Sequence, residues 1–356
     1  MEAGIVGLAY VGKTTLFNAL TALGVSGAGS AARPNVGVVQ VPDDRLAVLI
    51  RYIETKKVVS ANMQLVDVAG LVAGASEGKG MGNRFLGHLR NVDALLHVVR
   101  CYEGAHGPVD PVRDIDEVEM ELMITDLEVV ENGIDNAGRR ARIGDKQAKQ
   151  RVSLLEQCAA ALGDGKAVSS LQLNDQQRFD LKSFALLSAK PVLYVANVGE
   201  DDSAGCAAVE AIRSHLTRQG RSVNEVVAIC ARLEAELAEL DPSERDEMLD
   251  GLGLAEPALN RLARAAYRLL GLHSFFTVGP KEIHAWTVPI GATAPEAAGA
   301  IHTDFQRGFI RVEVYSLSDL QNFQSEKDIR AAGKMRVEGK DYVMQDGDIC
   351  HFLFNV

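Results

Sequence analysis

Residues 7–14 read Gly-Leu-Ala-Tyr-Val-Gly-Lys-Thr, a G-x-x-x-x-G-K-[ST] phosphate loop between a short apolar run at 3–6 and a helix opening at Lys13. No other feature constrains the fold as much. Such a loop works only at a strand-to-helix turn, where inward-facing backbone N–H groups and a helix N-terminus together meet an anion. The spacing predicts a nucleoside triphosphate site made by Gly7, Tyr10, Val11, Gly12, Lys13, Thr14 and Thr15. In it Lys13 reaches the β- and γ-phosphates, the Thr14 hydroxyl ligates Mg²⁺ and Thr15 holds the α-phosphate.

Strand-like runs recur at 63–67, 95–101, 192–197 and 226–230, separated by segments long enough for crossover helices. This pattern predicts an α/β domain with a mainly parallel sheet. The segment 114–188 breaks the rhythm: it holds no strand-like run, and its apolar residues Met120, Met123, Leu127, Val130, Ile134, Ala137 and Ala141 alternate spacings of three and four. After the turn signal Gly144-Asp145, a second helix over 146–162 carries Val152, Leu155 and Ala159. An antiparallel helical hairpin inserted in the α/β domain is the expectation. Beyond Leu270 the chain turns β-rich at 283–288, 309–315, 342–344 and 349–354, with a helical stretch at 295–304 and a turn signal at Asp346-Gly347. A small mixed sheet wrapped on one helix fits that order. The expected domains are therefore 1–113 with 189–273 (nucleotide-binding), 114–188 (helical) and 274–356 (α+β).

Charge and composition narrow the partners. With 356 residues and 47% hydrophobic content, two or three cores are affordable. No apolar run approaches the roughly 18 residues of a spanning helix, and no basic leader precedes the first strand, so a cytoplasmic protein without a membrane partner is expected. Five scattered cysteines lack C-x-x-C spacing, which argues against a disulfide framework or zinc site. A net charge of −11 disfavours nonspecific wrapping of nucleic acid, and no DNA partner is expected. One local exception stands out. Asp116, Glu117, Glu119, Glu121, Asp126, Glu128 and Glu131 lie toward the base of the predicted hairpin, whereas Arg139, Arg140, Arg142, Lys146, Lys149 and Arg151 crowd its tip. A basic tip on a stalk suits contact with RNA.

The remaining nucleotide contacts follow from strand ends. Asp67-Val68-Ala69-Gly70 has the D-x-x-G form, in which Asp67 holds Mg²⁺ through water and the Gly70 N–H senses the γ-phosphate. The glycine-rich stretch 74–82 then reads as a switch that orders on triphosphate. Leu71 stands where many related enzymes carry a water-orienting Gln, so hydrolysis must draw a polar group from elsewhere or be slow. Base recognition falls to Asn197-Val198-Gly199-Glu200 and to Cys230-Ala231-Arg232. In N-K-x-D the Asp takes two hydrogen bonds from guanine, but here Glu200 carries an extra methylene that displaces the carboxylate by about 1.5 Å. Guanine selection should relax and adenine become acceptable, with Asn197, Val198, Glu200, Cys230 and Ala231 around the base.

These motifs, together with 70–76, the helical insertion and the ending Gly339-Lys340-Asp341-Tyr342 through Asp346-Gly347-Asp348 to Phe352-Leu353-Phe354-Asn355-Val356, closely resemble the Obg-like ATPases of the YchF group over nearly the full length. The resemblance implies a translation-factor-type P-loop GTPase fold that hydrolyses ATP, with GTP also accepted. It further implies a coiled-coil insertion, a C-terminal ubiquitin-like TGS domain and association with ribosomes, for which the charge pattern offers the tip residues Arg139, Arg140, Arg142, Lys146 and Lys149 as the ribosome or RNA contact. By the same resemblance His106, following Arg100-Cys101-Tyr102-Glu103, takes the role of the missing Gln. Ala9 and Tyr10 replace the family's Pro and Asn, and Ala31 stands where its first switch has a Mg²⁺-binding Thr, with Ser30 one residue off. Those departures imply weaker coupling of Mg²⁺ to the first switch. They leave open a nucleotide-gated binding module with negligible turnover, while a guanine-specific Obg-type regulator is the alternative that Glu200 opposes.

Overall fold

A computed structural model describes residues 1–21, 35–67, 82–104, 107–200 and 207–355. Gly70, Leu71, Ser30, Ala31 and His106, and the stretch 74–81, lie outside them. The strands are β1 Glu2–Val6, β2 Asn35–Val41, β3 Val58–Val59, β4 Ala61–Asp67, β5 Ala94–Cys101, β6 Val192–Val198, β7 Val226–Ile229, β8 Leu272–Thr277, β9 Ile283–Pro289, β10 Phe309–Tyr315, β11 Arg336–Glu338 and β12 Ile349–Phe354. The α-helices are α1 Lys13–Thr21, α2 Asp44–Tyr52, α3 Gly82–Leu89, α4 Pro111–Arg142, α5 Lys146–Gly163, α6 Asp175–Lys182, α7 Ala207–Arg218, α8 Ala231–Glu239, α9 Pro242–Gly251, α10 Ala258–Leu269, α11 Ala294–Ile301, α12 Thr303–Arg307, α13 Leu317–Phe323 and α14 Glu326–Ala331. The chain divides into two compact units, one of residues 1–37 and 65–259 and the other of 38–64 and 260–356.

The first unit is a P-loop GTPase-type α/β fold. Its sheet strands run β1-β5-β6-β7, and the pairs β1/β5, β5/β6 and β6/β7 are parallel. Strands buried on both faces need nearly continuous apolar sequence, and all eight residues of β5 are buried. Parallel register (Val6 opposite His97, Arg100 opposite Asn197, Asn197 opposite Ile229) brings the loops after β1, β5, β6 and β7 to one edge of the sheet. Ligands of such sheets bind at that edge, outside the carboxyl ends of the strands.

Segment 111–188 contains no strand, as expected, and the predicted seam holds over its middle, where Met123 and Val130 are buried against α5 with Leu127 and Ile134 packed on them, but not at its start. Met120 is 50% exposed, while Ile115, Val118, Leu122, Met123 and Val130 are buried. The physical reason is that the first turns of α4 pack on the sheet core: Val118 and Leu122 join Val6, Val66, Leu89 and Leu95. From Met123 on, α4 turns its apolar face to α5, with Met123 and Val130 in one cluster with Leu154, Leu155 and Cys158. Two acids of the hairpin base are anchored in the fold. Asp126 is fully buried and accepts from the Leu187 N–H (2.9 Å), the Ser188 N–H (2.7 Å) and the Ser188 hydroxyl (2.7 Å), pinning the returning chain to α4. Glu119 accepts from Arg221 at 2.6 Å and from the buried Tyr194 hydroxyl.

In the second unit the sheet order is β11-β10-β12-β8-β9-β3. It is mixed, with β12/β8 and β3/β9 parallel and β8/β9, β10/β12 and β10/β11 antiparallel. Its core gathers Phe275, Val288, Ala294, Ala297, Ala298, Val312, Val314 and Cys350. The expected helix at 295–304 is two helices, α11 and α12, divided at His302, which has an extended backbone (φ −162°) and is N-cap of α12. The expected strand at 342–344 is absent; Val343 makes only an isolated bridge to Thr293, and Met344 is buried. Asp348 instead gathers the segment into a turn, accepting from the Tyr342 hydroxyl at 2.8 Å and the Gln345 N–H at 2.9 Å, with Gly347 at φ 91° between. The apolar runs of β2 and β8, the short strand β11 and helices α13 and α14 were not anticipated.

Candidate functional site

The phosphate loop closes around two glycines that nothing else can replace. Gly7 has φ 147° and a Cβ there would lie 2.4 Å from the Val98 carbonyl oxygen of β5; Gly12 has φ 95° and a Cβ would lie 2.4 Å from Asn197 Nδ2. Backbone approach this close is why the sequence needs glycine at both positions. Tyr10 takes a left-handed conformation, φ 63°, and its side chain is 70% exposed while its carbonyl accepts from the Tyr102 hydroxyl at 2.8 Å.

Lys13 begins α1 and is 8% exposed. Its ammonium donates to the carbonyls of Gly7 (3.0 Å) and Leu8, so it lies across the mouth of the loop. Burial lowers its pKa to about 8, against the opposing pull of Asp67. Asp67, at the end of β4, is 6% exposed; burial raises its pKa, while Lys13 and hydrogen bonds from Asn35 and Thr14 counter the rise. A buried carboxylate and a hydroxyl within bonding distance of each other form a hard-oxygen pair of the sort Mg²⁺ prefers. A cation there would also relieve the carboxylate's burial.

Beside the loop opens a cleft of ≈ 560 Å³, bordered by Gly12, Thr15, Tyr102, Asn197, Glu200 and Arg232. Asn197 is 5% exposed and its carboxamide is committed: Nδ2 donates to the Val11 carbonyl at 2.9 Å and Oδ1 accepts from the Ala231 N–H at 3.0 Å. It therefore fixes three loops in register. Val198 borders the cleft but its side chain, 3% exposed, belongs to the core with Val99, Tyr194 and Ile212. Glu200, 45% exposed at the side chain, pairs with Arg232 at 2.8 Å, and Arg232 also reaches Glu236 at 3.4 Å. Cys230 and Ala231 line the same wall at the start of α8.

The structure thus gathers Gly7, Val11, Gly12, Lys13, Thr14, Thr15, Asp67, Asn197, Glu200, Cys230 and Ala231 around one edge of the sheet. Sequence reasoning missed Asn35 and Tyr102, and it named Arg232 in the base-side loop without its pairing to Glu200. Asn35 follows the first-switch segment, so adjacency to a motif was the available signal. Arg139, Arg140, Arg142, Lys146 and Lys149 are exposed at the α4–α5 turn, where Ile143 is 85% exposed.

Comparison with known proteins agrees with this arrangement. Residues 2–132 match the family model described as 50S ribosome-binding GTPase, and residues 272–355 match the YchF-GTPase C-terminal model, described as a protein of unknown function (DUF933). The chain is 44% identical over 363 residues to "Ribosome-binding ATPase YchF" of Escherichia coli O157:H7, covering 100% of this chain and 99% of that protein. It is 43% identical over 367 residues to the protein so named in Bacillus subtilis, covering 100% of both. Among solved structures it is similar to the Schizosaccharomyces pombe YchF GTPase, with 32% identity, a TM-score of 0.86, and coverage of 99% of this chain and 97% of that one.

Proposed function

Because this chain belongs to the YchF family, we propose that it is a ribosome-binding ATPase that binds and hydrolyses ATP with Mg²⁺, accepts GTP, and couples nucleotide state to ribosome binding in the cytoplasm. The observation that carries the reading is the commitment of Asn197, which links the phosphate loop at Val11 to the base-side loop at Ala231. One side chain thereby organises the phosphate end and the base end of a single cleft.

In this reading the N–H groups of 7–15 and the start of α1 hold the phosphates, and Lys13 leaves the Gly7 and Leu8 carbonyls for the β- and γ-oxygens. Thr14, and Asp67 through water, would hold Mg²⁺, which when bound would supply charge neutralisation at the phosphates. Gly70 meets the γ-phosphate and His106 orients the attacking water. Glu200, tied to Arg232, presents less free acceptor to a base than an Asp would, which favours adenine.

The long pair α4–α5 serves as an inserted coiled-coil arm whose tip, Arg139, Arg140, Arg142, Lys146 and Lys149, contacts ribosomal RNA, and the C-terminal α+β module is a ubiquitin-like TGS domain. The domains are 1–113 with 189–273, 114–188 and 274–356. Among the described residues no helix is long and apolar enough to cross a membrane.

Co-sedimentation with ribosomes, with and without a non-hydrolysable ATP analogue, tests the reading. A nucleotide-dependent ribosome-bound fraction is expected, weakened by charge reversal at Arg139, Arg140 and Arg142 with a shallower salt dependence. Absence of ribosome binding in every nucleotide state would contradict it.

A further inference from the structure

At the opposite edge of the same sheet, before the first residues of β5 and β6, lies a second cleft of ≈ 480 Å³ that the nucleotide chemistry does not use. Its rim carries Arg90, Arg178, Lys182 and Lys190 against a single acid, Asp93. In a chain of net charge −11 that concentration of cations calls for an occupant. The inner wall is apolar, with Val168, Leu173, Leu181 and Leu186.

Two of the cations have work elsewhere, and two do not. Lys190 donates to the Arg90 carbonyl at 3.0 Å and to the Val92 carbonyl, holding the end of α3. Arg90 is only loosely engaged: its guanidinium lies 3.4 Å from the Ala185 carbonyl, 3.5 Å from those of Phe184 and Thr125, and 3.9 Å from Asp126. Good charge-assisted bonds are nearer 2.7–2.9 Å. Asp126 is its acidic neighbour, and at 3.9 Å the two attract as charges without a close hydrogen bond, while the Asp126 oxygens bond the Leu187 and Ser188 donors. Arg178 donates only to the Leu173 carbonyl at 3.0 Å, and among the described residues neither Arg178 nor Lys182 has an acidic partner. Both are exposed.

The wall is also strained. Ala185, which borders the cleft, has φ 48° without being glycine. Non-glycine residues held in this region concentrate at ligand clamps, and here the strained residue points its carbonyl at the under-bonded Arg90. Burial lowers the pKa of Lys190, a cost that an anion in the cleft would offset.

We propose that this cleft is a second anion site, shaped for a small molecule carrying two or more phosphate charges beside an apolar group. Arg90 supplies the planar fork, Arg178 and Lys182 close over the phosphates from α6, and the leucine wall takes the apolar part. The site shares no residue with the phosphate loop, so it stands whether or not the nucleotide reading does.

The test is calorimetric titration of inorganic pyrophosphate, without Mg²⁺, into full-length Lys13→Ala protein, in which the phosphate loop no longer competes. One site per chain is expected, weakened at least about tenfold by Arg178→Glu with Lys182→Glu, a change confined to exposed side chains without acidic partners. Should Lys13→Ala fail to fold, the wild-type chain saturated with a non-hydrolysable ATP analogue takes its place. No binding, several weak sites per chain, or one site indifferent to the double charge reversal would each overturn the proposal.

Discussion

Asn197 donates to the Val11 carbonyl at 2.9 Å across 186 residues of sequence, and both groups are buried. Asn197→Ala would leave that carbonyl and the Ala231 N–H unpaired, each at a cost of about 1–3 kcal/mol. Because the side chain positions both ends of the cleft, affinity for ATP and GTP should fall together, by tenfold or more, with a lowered Tm. Calorimetry with both nucleotides checks this; a loss confined to one base would show that Asn197 reads the base directly.

Lys13 carries a pH dependence whose sign is fixed by its burial. Its pKa in the folded chain is about 8, below the ordinary 10.5. Between those values the unfolded chain holds a proton that the folded chain lacks, so this group's contribution to stability rises with pH there. Phosphate binding has the opposite demand, since it selects the charged ammonium. Triphosphate affinity should be flat below pH 8 and fall by up to about tenfold per unit above it, with proton uptake on binding. Titrations in buffers of different ionisation enthalpy measure that uptake, and its absence at pH 9 would contradict the assignment.

Arg232 should tune base choice. Its pairing with Glu200 at 2.8 Å involves two partly exposed side chains, and exposed pairs contribute little to stability. Arg232→Ala should therefore leave Tm nearly unchanged while freeing an acceptor for guanine, shifting the ATP-to-GTP affinity ratio toward GTP by about three- to tenfold. An unchanged ratio would mean that Glu200 does not face the base.

The second unit contains its own titrating pair. His351 Nε2 lies 2.6 Å from Glu326, which also accepts from the Tyr315 hydroxyl at 2.7 Å. The carboxylate raises the His351 pKa from 6.5, and His351 and Tyr315 lower that of Glu326 from 4.5. The His contribution is complete below its unfolded value and is lost as pH rises through its raised folded value. That of Glu326 is complete above its unfolded value and is lost as pH falls through its lowered one. The pair should thus stabilise most between about pH 4.5 and 6.5. His351→Gln should flatten the decline in Tm above that window, which thermal melts across pH would register.

The parts of the fold legible in the sequence were those with a short-range signature. The phosphate loop, the apolar strands β1, β5 and β6 and the turn at Gly144-Asp145 each declare themselves within a few residues. The seam of α4 was legible from Met123 to Ile134 but not at its start, because Val118 and Leu122 answer to the sheet core rather than to α5, and periodicity cannot name the surface a face will meet. Nothing in the sequence separates Asp126 from the other acids at the hairpin base, and only the returning Leu187-Ser188 backbone makes it a buried anchor. The segment 38–64, whose β3 pairs with β9 at Val58 and Ile283, carries no local sign that its neighbours lie more than two hundred residues on. In the candidate site, strand-end motifs gave the phosphate and base residues, whereas Tyr102 and Arg232 act through contacts that no spacing rule encodes.

The most direct measurement is the affinity of non-hydrolysable ATP and GTP analogues in the presence of Mg²⁺, determined side by side by calorimetry. An ATPase whose base loop carries Glu200 tied to Arg232 should bind the adenine nucleotide at least as tightly as the guanine one, and lose both on Lys13→Ala. A clear preference for guanine would contradict the account and make the chain a guanine-specific regulator.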